Sequence, residues 1–433
     1  MPTISFTLDQ AANQIATTGW TNAWSNPVSY GFRSSSSSVG FTRFTSAQIT
    51  ASEDALKLWS DVAKIKFARV GTSYTNSATI LFSGETSQGG YGWGYFPGSR
   101  ATYSLDGDVF INPSNGWFKS LGKGSYDFMS IIHEIGHAIG LDHPGDYNGG
   151  SPTYQTDALY KQDSQQYTVM SYFSASNTGA WHGSNYAATP LLHDIAAAQK
   201  MYGANWATRP GNTTYGFNSN VDRPQFHIDS PSQKAVFAIW DGGGNDTLNF
   251  SGYTQNGDID LNQAAFSSVG GLKKNVAIAK GAIIENAIGG SGNDFLKGNI
   301  FDNKIQGGPG NDVINGRGGH DVLWGGSGAD TFVFNTTLAR GAASLPDFNP
   351  ASETIRLENG LFKALGTATG WLKAAFFYAG AAAHDANDHI IYNKSTGELF
   401  YDPDGVERAG QIKFATLTAT SKPSLSAADF FVV

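Results

Sequence analysis

Between residues 289 and 333 the chain repeats itself every nine positions, and no other feature narrows its fold as far. The frames read GGSGNDFLK (289 to 297), GNIFDNKIQ (298 to 306), GGPGNDVIN (307 to 315), GRGGHDVLW (316 to 324) and GGSGADTFV (325 to 333). A period of the form G-G-x-G-x-D-x-U-x describes a six-residue turn and a short strand whose U side chain faces inward. Here U is Leu296, Ile305, Ile314, Leu323 and Phe332. Two frames complete one coil, so the turns at 289, 307 and 325 stack on one side and those at 298 and 316 on the other. One inward side chain in nine is a thin core, and the coil needs a second source of stability. Residues 289 to 328 hold 13 Gly in 40 positions. Glycine lets carbonyls turn into the space between stacked turns, where added carboxylates make a site for calcium. The expected ligands are the carboxylates of Asp294, Asp312, Asp321 and Asp330. Backbone oxygens of Gly290, Gly292, Gly307, Gly308, Pro309, Gly310, Gly316, Gly318, Gly325, Gly326 and Gly328 complete the set. A flexible linker explains one such frame but not five in register. The frame at 298 departs, with Ile300-Phe301-Asp302-Asn303 where Gly and Asp are expected, and calcium on that side stays open.

Composition narrows the partners. A net charge of −8 has the wrong sign for broad nucleic-acid or anionic-membrane binding, and cations are favoured instead. No apolar run is long enough to span a bilayer, and the opening MPTISFTLDQAANQIATTGW has neither the basic nor the apolar region of an N-terminal signal. With no Cys there is no disulfide and no thiolate ligand, so an extracellular chain of this kind needs bracing by other means.

Upstream of the repeats the sequence alternates helix and strand signals. Residues 46 to 63 place Leu56, Trp59, Val62 and Ala63 on one helical face, with Glu53, Lys57 and Asp61 elsewhere. ATILF (78 to 82) and GDVFIN (107 to 112) read as strands, and 126 to 140 as a second, more apolar helix. A third helix is expected from Pro190 to about Met201, capped by Thr189. The second helix carries His133-Glu134-Ile-Gly-His137-Ala-Ile-Gly140-Leu-Asp-His143. His133 and His137 lie one turn apart, about 6 Å, on one face. Gly140 can end the helix in a left-handed conformation and return His143 as a third ligand. Three neutral imidazoles and an open fourth position describe a catalytic zinc site. Zinc would lower the pKa of water toward about 7, and Glu134 would face that water as general base. A helix that merely happens to carry histidines does not account for five specified positions. Motifs of this form mark metzincins, which also need a Met-containing turn; Tyr167-Thr-Val-Met170-Ser-Tyr172 lies 27 residues beyond His143. The histidines at 182, 193, 227, 320, 384 and 389 lack ligand spacing.

With Pro144 and GDYNGG directly after the third His, and with HDIAAAQKMYGAN, TRPGNTTYGFNSN, WDGGGNDTLNFSGYT and IENAIGGSGND beyond, the chain resembles the serralysins over roughly residues 45 to 335. These are secreted bacterial metzincin peptidases that join a zinc domain to a calcium-binding β-roll. The resemblance implies an α+β fold with a metzincin domain (1 to 204) and a parallel all-β roll (205 to 345), and the alternation of HIIYN (389 to 393) and GELFYD (397 to 402) reads as an antiparallel β tail (346 to 433). It implies one catalytic zinc on His133, His137 and His143, general base Glu134, a structural Met170 turn, and Tyr172 as a switchable fifth ligand that stabilises the oxyanion. It implies several structural calcium ions. The first roll sites would use Arg209, Gly211 and Thr213 with Asp241, Gly243 and Asp246, then Gly244 and Asp246 with Ile283 and Glu285. The implied activity is that of a secreted, extracellular, monomeric zinc endopeptidase. Its partners would be polypeptide substrates, a proteinaceous inhibitor and ABC-type export machinery reading the tail Asp429-Phe430-Phe431-Val432-Val433. GDVFIN is the expected substrate-binding edge strand. DHIIYNKSTGELFYDPDG departs from the commonest serralysins, and at most about 20 residues would precede the catalytic fold. A calcium-dependent surface module with a vestigial zinc site is the rival reading, and an intact Glu134 speaks against it.

Overall fold

A computed structural model describes residues 2, 4–16, 23–98, 105–338, 341–406 and 410–433. Its N-terminal part is a five-stranded sheet of β1 (Val28–Phe32), β2 (Phe67–Arg69), β3 (Ile80–Gly84), β4 (Gly92–Gly94) and β5 (Val109–Ile111), in the order β2-β1-β3-β5-β4. All neighbours are parallel except β4, which runs antiparallel to β5 with Trp93 opposite Phe110. The expected edge, GDVFIN, is therefore interior. β5 pairs on both sides, and the edge falls to the short glycine-rich β4, whose period carries no apolar signal.

Five helices accompany the sheet: α1 (Leu8–Ile15), α2 (Ser46–Val62), α3 (Tyr126–Ala138), α4 (Tyr154–Asp157) and α5 (Leu192–Tyr202). A capping box starts α2, Thr45 N–H donating to Gln48 Oε1 at 2.8 Å and Gln48 N–H to Thr45 Oγ1 at 3.3 Å. Its apolar face buries Leu56, Trp59 and Val62 against α3, and the Trp59 indole donates to the Ile132 carbonyl at 3.2 Å. Asp61, expected on the polar face, is buried and ion-paired at 2.9 Å with both Arg209 and Arg223, so a distant partner overrides the local pattern. At α5 the cap is not Thr189, whose hydroxyl bonds the 238 backbone, but Asp194, which accepts from Leu191 N–H at 2.8 Å. Residues expected to precede the fold belong to it: α1 buries Ala11, Ala12 and Ile15, and Ile15 O accepts from Asp142 N–H at 2.8 Å.

The repeats form two parallel stacks. On one side Phe295 pairs with Val313 and Val313 with Thr331; on the other Lys304 pairs with Val322. The partners are eighteen residues apart, as two frames per coil require. Leu296, Ile305, Ile314, Leu323 and Phe332 fill the interior at 0–1% exposure. Both stacks continue past 345. Residues 354–357 extend one, and 343–345 pair in parallel with 415–417 in the other. The tail is antiparallel where 390–393, 398–401 and 412–417 meander and where 370–371 pair with 431–432, while its last strand, 430–432, runs parallel to 354–357. The two sheets count ten and seven strands. Among the described residues no helix is long and apolar enough to cross a membrane.

Candidate metal centre

α3 projects His133 and His137 from one face. Its end at Ala138 and the left-handed Gly140 (φ 102°) turn the chain so that His143 returns beside them. His143 Nε2 lies 3.1 Å from His137 Nε2 and 3.3 Å from His133 Nε2. The Nδ1 atoms face outward, His133 to the Val169 carbonyl and His137 to the Leu141 carbonyl, each at 2.8 Å. A carbonyl only accepts, so Nδ1 carries the proton at both residues and Nε2 the lone pair. Burial lowers His133 to about 4, and burial with the His133 ring beside it lowers His143 to about 3. His137 falls well below the usual range through burial and its two neighbours. Lone pairs of neutral imidazoles converging in a buried site fit a zinc ion, and no other buried three-residue cluster of this kind exists among the described residues.

Glu134 stands on the same helix, and burial pushes its carboxyl up to about 8. β4 lies hard against it: a Cβ on Gly92 would come within 2.9 Å of Glu134 Oε1, and one on Gly94 within 2.5 Å of Glu134 O. Glycines here let an edge strand approach α3. Met170 is fully buried beneath α3, where a Cβ on Gly136 would meet its sulfur at 2.6 Å. The Tyr172 ring packs on His143 at 4.6 Å and on His133 at 6.0 Å, and its hydroxyl accepts from Gly149 N–H at 3.4 Å. Two carboxylates that sequence reasoning missed fix this floor. Asp194 accepts from Thr168 Oγ1 at 2.5 Å and Val169 N–H at 2.8 Å, holding the carbonyl that orients His133. Asp163 accepts from Tyr147 and Ser171 hydroxyls at 2.8 and 2.6 Å, and Tyr147 stacks on His143. Asp163 lies in no motif and Asp194 lies within HDIAAAQKMYGAN without ligand spacing, and each meets its partners only through the fold.

In the roll the Asp side chains bridge successive turns. Asp312 Oδ1 accepts from Asp294 N–H at 2.7 Å, and Asp330 Oδ1 from Asp312 N–H at 2.8 Å. The second oxygens of Asp246, Asp312 and Asp330 are buried without a donor. Burial, with neighbouring carboxylates at Asp246 and Asp312, raises Asp246, Asp312 and Asp321 to about 7, and it raises Asp294 and Asp330 as well. Orphaned buried carboxylate oxygens fit a hard cation. Gly308, Gly310, Gly326 and Gly328 all have left-handed φ, and a Cβ on Gly310 would strike the Gly292 carbonyl. Gly307, Pro309 and Gly325 lie in the same turns, while Gly316 and Gly318 lie in the opposite stack, where Gly318 N–H donates to Asn299 O at 3.1 Å. At the roll entrance Asp246 accepts from Thr213 N–H, and Glu285 Oε2 accepts from Asp246 N–H, each at 2.7 Å. Asp241 Oδ1 accepts from Gly243 N–H, and a Cβ on Gly244 would strike Gly211 O. Ile283 shares the turn of Glu285. The Arg209 guanidinium is engaged with Asp61 and Trp240 O. Asp347 and Glu353, outside the nine-residue frame and so invisible to it, close the far end: Asp347 accepts from Gly325 and Gly326 N–H at 3.2 and 3.0 Å. In the 298 frame Asn303 Oδ1 accepts from Asn299 N–H at 2.8 Å. His384 gathers with Asp385 and Asp388, but it is 68% exposed and Asp388 is engaged by two backbone N–H groups.

Two family models match in chain order, Matrixin over residues 20–166 and Peptidase M10 serralysin C terminal over 204–364. Metalloprotease AprA of Pseudomonas entomophila (strain L48) is 46% identical over 324 residues, covering 70% of this chain and 66% of that protein. Metallopeptidase AprA of Pseudomonas marginalis is 44% identical over 321 residues, covering 70% and 67%. Serralysin C of Dickeya chrysanthemi is 45% identical over 265 residues, covering 60% and 55%. The matches thus span from about half to two thirds of these relatives. With the three-histidine centre, the Met170 floor and the parallel roll in one molecule, the chain belongs to the serralysin-type metalloproteases.

Proposed function

We propose that this chain is a secreted zinc-dependent endopeptidase that hydrolyses polypeptides lying extended along β4. One observation carries the reading: Glu134, a buried carboxyl, shares an open cleft with His133, whose Nε2 converges with those of His137 and His143. His133, His137 and His143 would hold zinc, which when bound supplies Lewis-acid activation of water and of the substrate carbonyl. Glu134 takes the proton of the attacking water and hands it to the leaving amine; its burial favours the protonated form between those transfers. Tyr172 donates its hydroxyl to the developing oxyanion, a contribution of about 3 kcal/mol at such sites. β4 offers main-chain groups to the substrate backbone.

We assign residues 1–204 to catalysis, 205–345 to the roll and 346–433 to a tail that completes the roll's sheets. The roll's carboxylates and carbonyls bind calcium. At the roughly 10⁻⁴ to 10⁻³ M typical of extracellular modules, the ions arrive only after export through an ABC-type channel. Hydrolysis of casein by the wild type and by Glu134→Ala, with zinc content measured on both, tests the reading. The variant should keep its zinc and lose at least about 100-fold in rate. Equal rates in the two proteins, or none in either, would leave a calcium-dependent surface module instead.

A further inference from the structure

The cleft that holds Glu134 is walled in part by a tryptophan that the proposed chemistry does not use. Trp181 lines that cleft, yet its side chain is 55% exposed. An indole left in water forgoes burial of a large apolar surface, so its position calls for an explanation. Its backbone is not free to move away. Trp181 N–H donates to Lys273 O at 3.1 Å, and Lys273 N–H donates back to Trp181 O at 2.9 Å. The imidazole of His182 adds a third tie, Nε2 to the Lys274 carbonyl at 3.3 Å, and because a carbonyl only accepts, Nε2–H is the donor. Residues 270–274 lie within the roll, between strands Phe266–Ser267 and Val276–Ile278. One folding unit therefore clamps an exposed indole onto the active cleft of the other. Among the described residues Glu134 is the one acidic side chain that lines this cleft, and its described lining holds no Lys or Arg.

We propose that Trp181 is a specificity subsite that binds a bulky apolar side chain, aromatic or large aliphatic, of the extended substrate, and that the roll pre-sets it through the Lys273 clamp. Fixed in advance, the indole forms the contact with little further loss of conformational freedom. The proposal rests on the endopeptidase reading.

Position-scanning peptide libraries cleaved by wild type and Trp181→Ala test it. At one substrate position the wild type should favour Phe, Tyr, Leu or Met over Ala about tenfold, through KM. Trp181→Ala should abolish that preference, losing about tenfold on the peptides with the bulky side chain relative to its loss on the Ala-containing peptides. Trp181→Phe should retain most of it. An unchanged preference, or an equal loss on every peptide, would overturn the subsite. A wild type that cleaves no peptide would instead refute the endopeptidase reading. Because Trp181 is exposed, loss of folding does not confuse the result.

Discussion

Gly136 sits between Glu134 and the second histidine, and its place is decided by a residue 34 positions away. A methyl group there would meet the Met170 sulfur at 2.6 Å and the Trp59 ring at 3.4 Å. Both neighbours are buried and cannot withdraw to solvent. Gly136→Ala should therefore push α3 off its floor, costing about 2 kcal/mol, and misplace His133 and His137 together. Zinc per chain by mass spectrometry and the melting temperature should both fall. Retention of full zinc at the wild-type Tm would show that Met170 does not brace the ligands. The motif alone announces the histidines and Glu134, because helix geometry sets their spacing. It is silent on why Gly136 is glycine, since that reason lies in tertiary contact.

At the scale of elements, the roll behaves as a one-dimensional stack in which each turn leans on its neighbours. Asp312 is the middle rung, accepting from one turn and donating its N–H to the next. Calcium titrations followed by circular dichroism should show β structure lost in chelator and regained with the ion. Asp312→Ala should raise the calcium midpoint about tenfold, whereas Asp302→Ala, at a 69% exposed side chain, should leave it near wild type. Equal midpoints would mean that the Asp312 carboxylate holds no ion. The strands of the stack are legible in the sequence because their period is short and their pairing follows from it. The proposed substrate edge is not. Gly92-Trp93-Gly94 has no strand-like alternation, and only its pairing with Phe110 and its closeness to Glu134 single it out. The same holds for Asp347 and Glu353, which join Asp330 from outside the repeat.

Across the whole molecule, Asp61 is a charged link between the two units, buried where the Lys123–Asp229 and Lys280–Asp9 pairs are more exposed. It receives Arg209 and Arg223 from the roll entrance while lying on α2, whose Trp59 also donates to the helix that carries His133 and His137. Asp61→Ala would strand two guanidinium groups at a largely buried junction, a loss of about 3 kcal/mol. Calorimetry should then resolve two unfolding transitions where the wild type shows closer coupling; a single transition at the wild-type temperature would assign the junction's strength to apolar contact alone. The final strand has a different consequence. Phe430 is fully buried and Val432 nearly so, between Thr354–Leu357 on one side and Gly370–Trp371 on the other. Side chains woven into a sheet cannot simultaneously be inspected by a receptor. If these residues carry information for the cell that makes the protein, that information exists only in the unfolded chain, and folding erases it.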